Sequence, residues 1–161
     1  MSKIIENVWL GNINDSQNEN FMKQNNINVI VNCTKDIPFI QSIHFKYRIP
    51  VNDDLQEKSF KEMYVAMKYI IPVLVEHVNR GDRIFIHCFA GMQRSAIITL
   101  ALLTAITYKE VFNNTKPDNI LIQKYCNNLK NYMSSHRPIV FTPGMNFRPS
   151  YTKWLNEYIN E

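Results

Sequence analysis

Cysteine is scarce in these 161 residues: Cys33, Cys88 and Cys126 are all there are. An odd number without metal-ligand spacing argues against a disulfide framework. It suits a reducing compartment, cytoplasmic or otherwise intracellular, extending to the virion for a viral protein. No apolar run approaches the ~20 residues that span a bilayer. The N-terminal "MSKIIENVWLG" lacks a sustained apolar region, so neither a membrane span nor a signal peptide is expected. Residue 2 is Ser2 rather than glycine, which removes the myristoylation signal. The net charge of +4 is scattered, so it admits an anionic substrate but leaves no nucleic-acid footprint. Repeats, low-complexity tracts and linkers are missing, and nothing in the sequence fixes an oligomeric state.

What is present is a 45% hydrophobic chain, enough for one domain over residues 1–161. Short apolar runs alternate with amphipathic stretches. The pattern predicts an α/β fold, a central mostly parallel sheet of about five strands flanked by helices. Val8–Gly11, Asn28–Cys33, Tyr47–Val51 and Arg83–Cys88 read as strands, with Pro50 ending the third or placing it at an edge. A weak helix is expected from about Asp15 to Asn25. Ser59 and Glu62 form a capping box ahead of Phe60, Met63, Tyr64, Met67, Ile70, Ile71 and Leu74 at helical spacing. "SAIITLALLTAI" is apolar all round, the mark of a buried helix. Asp118 caps a further helix carrying Leu121, Ile122, Tyr125, Cys126, Leu129, Tyr132 and Met133 on one face. Ser150 is the expected cap of the last helix.

The stretch "IHCFAGMQRSA" joins the strongest strand to the buried helix. A strand–loop–helix junction gathers inward N–H groups and the positive end of a helix, which together hold a dianion. Gly91 admits a backbone conformation that a side chain would resist. The same field stabilises a thiolate, so Cys88 can be ionised at neutral pH and act as nucleophile. Arg94 offers a planar fork for two phosphate oxygens. Ser95 can hydrogen-bond the sulfur as it leaves. By strand alternation His87 faces away from the pocket and organises the loop.

"HCFAGMQRS" resembles the H-C-x-x-G-x-x-R-S/T signature of the cysteine-dependent protein phosphatases, and the chain from Ile5 to about Ile159 is similar to a small dual-specificity phosphatase. The resemblance implies catalytic Cys88, Arg94 and Ser95 within a phosphate-binding loop of His87, Phe89, Ala90, Gly91, Met92, Gln93 and Arg94. It also implies a general acid in "IPVNDD", at Asp53 ahead of Asp54. The implied reaction passes through a phosphocysteine and needs no metal or cofactor. Its substrates would be phosphoproteins at tyrosine and at serine or threonine. A phospho-binding pseudophosphatase, or a phosphatase of RNA 5′-ends or phosphoinositides, is the alternative. The loop carries no lysine and differs from the H-C-T-H-G-x-N-R-T pattern, which disfavours the lipid and RNA readings.

Other residues receive plainer readings. Gln93 either tunes the hydrolytic step or lines the loop. Asn146 fits a turn better than a buttress of the loop. Cys33 and Cys126 read as core thiols, and His44, His77 and His136 as structural. Arg48, Lys58, Arg137 and Arg148 each read as solvated charges before they read as flanks of the pocket mouth.

Overall fold

The computed structural model describes all 161 residues. The strands are β1 (Ser2–Ile5), β2 (Val8–Gly11), β3 (Val29–Asn32), β4 (Phe45–Arg48) and β5 (Ile84–His87). The helices are α1 (Ile13–Ser16), α2 (Glu19–Gln24), α3 (Glu57–Asn79), α4 (Arg94–Phe112), α5 (Asn119–His136) and α6 (Arg148–Ile159). The sheet order is β1-β2-β5-β3-β4. Only β1 runs antiparallel to its neighbour; the other three pairings are parallel. This is the five-stranded, mostly parallel α/β sheet the sequence predicts.

The central strands are buried on both faces, and successive residues feed two separate cores. Val29, Val31, Ile84 and Ile86 face the larger core beneath α3, α4, α5 and α6. Ile30 and Phe85 face a smaller one with Trp9, Met22, Ile27, Ile40 and Ile43. β3 and β5 pair in register to their last residues, Asn32 and His87, so the two central strands end side by side where the loop after β5 begins.

Several expectations need correction. β1 was not expected; Glu6 and Asn7 turn it onto β2, with Asn7 at φ 68°, a conformation asparagine tolerates. Two short helices replace the single one expected over 15–25. Asn12 and Asn18 cap them through their own side chains. β4 lies at Phe45–Arg48, earlier than Tyr47–Val51: the Ile49 N–H makes a last bond to the Asn32 oxygen at 2.9 Å, Pro50 has no N–H, and the Val51 N–H turns back to the Ile49 oxygen. Helix α3 starts at Glu57, so Ser59 is not its cap but a buried first-turn residue. Ser150 likewise lies inside α6, its hydroxyl donating to the Phe60 carbonyl at 2.6 Å. Asp118 does cap α5, accepting from the Leu121 N–H. On the expected apolar face of α5, however, only Tyr125 and Met133 are buried. At 19 residues α4 is also long and apolar enough to cross a membrane by those measures alone, unlike the expectation. Here Ser95 through Thr104 are all buried in the core.

Candidate active site

The loop between β5 and α4 is pinned from outside at four successive carbonyls. The Phe89 oxygen accepts from the Ile13 N–H at 3.0 Å, and the Met92 oxygen from the Phe141 N–H at 2.9 Å. Between them, the Arg137 guanidinium donates to the Gly91 oxygen at 2.9 Å and to the Ala90 oxygen at 3.3 Å. A trans peptide sets its N–H opposite its carbonyl, and the one cis bond in the chain is Thr142–Pro143. The N–H groups of Ala90, Gly91, Met92 and Gln93 therefore face away from these outer partners, into the loop. That is an anion nest built by its surroundings. Gly91 is required on two counts. Its φ is +68°, and a Cβ there would lie 2.6 Å from both Arg137 Nη2 and the Gly11 oxygen.

Cys88 lies at the base of this nest, buried, with Sγ 3.0 Å from Ser95 Oγ. Burial pushes its thiol up. The Ser95 hydroxyl and N–H, the Arg94 charge and the Gly91 N–H together outweigh it, and the thiol ionises below its ordinary value. Cys33 is its in-register neighbour, with its N–H on the His87 oxygen at 2.8 Å. Burial pushes the Cys33 thiol well up, so that cysteine stays protonated. His87 faces the opposite core, stacked on Phe85. Burial pushes its pKa down to about 4, leaving it neutral, with Nδ1 3.3 Å from the Cys88 oxygen.

Arg94, the first residue of α4, reaches across the nest to the Val51 oxygen at 3.1 Å. Its Nε is buried with no hydrogen-bond partner in the protein. A buried N–H of a cation left unbonded is costly, and an oxyanion in the nest would bond it. Arg94 also ties the nest to the loop that carries the two aspartates.

Those aspartates differ. Asp54 faces the start of α3, accepting from the Gln56 N–H at 3.0 Å. Its hydrogen bonds with the Ser59 hydroxyl and the Gln56 N–H hold its carboxyl below the usual range. Asp54 is therefore kept ionised as a helix-end residue. Asp53 is exposed, and its Oδ1 accepts from Asn146 Nδ2 at 2.9 Å. Asn146 thus buttresses the acidic loop, where the sequence favoured a turn residue.

Of the four arginines and lysines weighed for the mouth, only Arg137 belongs to the nest, and it lies behind it. Arg48 serves the carbonyls of Thr34, Lys35 and Ile37, while Lys58 and Arg148 are exposed. The sequence reading weighed Arg137 as a flank of the mouth and Asn146 as a buttress, and ranked both below plainer roles; the structure puts Arg137 behind the nest and Asn146 on Asp53. Both lie in "HRPIVFTPGMNF", a stretch that itself resembles the late R-P…P-N-F segment of the phosphatases.

A family model described as dual specificity phosphatase, catalytic domain, matches residues 8–116. Human dual specificity protein phosphatase 16 is 32% identical over 106 residues, covering 63% of this chain. The putative tyrosine phosphatase 123R of invertebrate iridescent virus 6 is 27% identical over 129 residues, covering 75% of this chain. This chain spans 15% of the length of the human relative and 81% of the viral one. Among solved structures, human DUSP28 superposes with a TM-score of 0.72 at 17% identity, over 99% of this chain and 96% of its own.

Proposed function

Because this chain belongs to the dual-specificity phosphatase family, we propose that it hydrolyses phosphotyrosine and phosphoserine or phosphothreonine in proteins through a phosphocysteine intermediate. The observation that carries the reading is the buried, thiolate-favouring Cys88 beneath a nest that leaves Arg94 Nε unbonded. In the first step the Cys88 thiolate attacks phosphorus in line. The bond from phosphorus to the ester oxygen breaks as Asp53 gives that oxygen a proton. In the second step water attacks the phosphocysteine, returns a proton to Asp53, and the thiolate leaves while accepting the Ser95 hydroxyl hydrogen. The nest N–H groups and Arg94 stabilise the charge gathered on the equatorial oxygens. Asp53 is assigned the acid because Asp54 is already engaged at the start of α3. Exposed Phe89 on the nest and Leu55 beside the acidic loop offer apolar contact to a protein substrate. Three free cysteines suit a reducing compartment.

The test is hydrolysis of an aryl phosphate with a metal chelator present. Cys88→Ser should abolish turnover, and the chelator should leave the wild-type rate intact. Activity that survived Cys88→Ser would overturn the mechanism. Asp53→Ala should slow poor leaving groups far more than good ones; if Asp54→Ala does so instead, the acid is misassigned. Phosphopeptide panels test substrate breadth, with strict tyrosine preference contradicting dual specificity.

A further inference from the structure

Gln93 is the one nest residue with a long polar side chain that the two-step reaction leaves unused. That side chain is buried and points at a single turn, residues 142–146. Its Nε2 donates to the Thr142 oxygen at 3.2 Å and to the Gly144 oxygen at 2.8 Å. Its Oε1 accepts from the Asn146 N–H at 3.0 Å. A side-chain amide has two hydrogens to give, and both are committed here. Gln93 is therefore not free to donate to an incoming water. The turn it holds continues outward through Asn146 Nδ2 to Asp53 Oδ1 at 2.9 Å. The Phe141 N–H on the Met92 oxygen ties the same segment to the next nest residue.

Resting on the phosphatase reading, we propose that Gln93 is a positioning residue for the proton donor: it fastens the 142–146 turn to the nest so that Asn146 holds the Asp53 carboxyl in register with the Cys88 thiol. Asp53 needs such help. It is exposed, on a segment without regular structure, and a carboxyl there has many rotamers. A donor fixed on Oδ1 leaves Oδ2 as the oxygen that carries the transferable proton. It also removes a rotational search from the chemical step. A serine in place of Gln93 would be too short to span to the turn, so this coupling depends on glutamine's reach.

The experiment compares kcat/KM for two substrates, an aryl phosphate with an acidic phenol and an alkyl phosphate with a poor leaving group. The variants are Gln93→Ala, Gln93→Glu, Asn146→Ala, Asp53→Asn and Gln93→Ala with Asp53→Asn. With the poor leaving group, Gln93→Ala and Asn146→Ala should each lose about tenfold, and with the good one threefold or less (roughly). Gln93→Glu keeps the acceptor but not the two donors and should behave like Gln93→Ala. The double variant should fall no further than Asp53→Asn alone, since both act through one carboxyl. Equal losses on both substrates, or additive losses in the double variant, would overturn the assignment. If Gln93→Ala fails to fold, Asn146→Ala at the outer end of the connection carries the same contrast. A wild-type rate that does not need Cys88 would sink the phosphatase reading itself. A Cys88-dependent rate with no leaving-group contrast would sink only the role of Gln93.

Discussion

Two polar clusters lie at opposite ends of the same parallel strands, and only one of them is closed. At the N-terminal ends, His77 from α3 is 2.6 Å from Asp82 through Nδ1 and 2.7 Å from the Tyr47 hydroxyl through Nε2. Arg80 and Asn28 complete the ring of Asp82 partners. At the C-terminal ends, the nest around Cys88 keeps its N–H groups facing inward and Arg94 Nε unbonded. A closed polar cluster costs little to bury and fastens the strand ends together; an open one is costly until a ligand enters. The difference separates a brace from a site in one fold, without appeal to relatives.

The largest effect should come from emptying the open cluster. Arg94→Met should cut kcat/KM by about a thousandfold with little change in the thermal midpoint, since losing the bond to the Val51 oxygen is offset by removing a buried, unbonded N–H. A marked loss of stability would mean that the nest is closed in solution. The closed cluster should answer in reverse. Asp82→Ala should cost about 1.5 kcal/mol in denaturant unfolding, with aryl phosphate turnover intact. Asp82 is only 17% exposed beside a 3% exposed His77, which is why its loss should be felt.

Acid should also separate the two ends. His87 has its folded pKa depressed to about 4 from 6.5, so the unfolded chain takes the proton first. Its contribution to stability is full above about 6.5 and is lost as pH falls toward 4. Asp82 has its carboxyl held well below the ordinary 3.8 by hydrogen bonds from His77 and Asn28 and by Arg80. Its contribution is present above that ordinary value and drains away only at lower pH. Denaturant curves at pH 7, 5 and 3 should show both losses. His87→Gln should flatten the first and Asp82→Asn the second; a reversed assignment would break the comparison. Smaller in scale, iodoacetate at pH 6.5 should alkylate Cys88 and spare Cys33, and Ser95→Ala should slow that alkylation. Equal labelling of both cysteines would contradict the thiolate assignment.

The parts of the site legible in the sequence are those contiguous along the chain. Cys88, Gly91, Arg94 and Ser95 fall within one strand–loop–helix unit whose apolar flanks announce it. Strand β4 and the start of α3 slipped because two local signals competed. Pro50 ended the ladder just after Ile49, and Asp54 met the Gln56 N–H where Ser59 had the more familiar capping spacing. The partners that shape the nest were illegible for a different reason. Ile13, Arg137 and Phe141 come from distant segments, and an arginine before a proline reads as a surface charge until packing buries it. Periodicity carries no information about such long-range hydrogen bonds. Asn146 was misjudged on the same ground, since only the folded chain shows that Asp53 is within its reach.

The Ala90–Gly91 peptide relays charge from one side of the loop to the other. Its oxygen faces the Arg137 guanidinium, and its N–H faces the Cys88 sulfur. The cation behind the loop draws electron density toward the carbonyl and leaves the N–H more positive. The nest is thus electrified from the rear, through a peptide dipole, while its interior stays free of any lysine that would crowd a bare phosphate monoester. Arg137→Met, a side chain that never meets the substrate, should accordingly raise the pH at which Cys88 becomes nucleophilic.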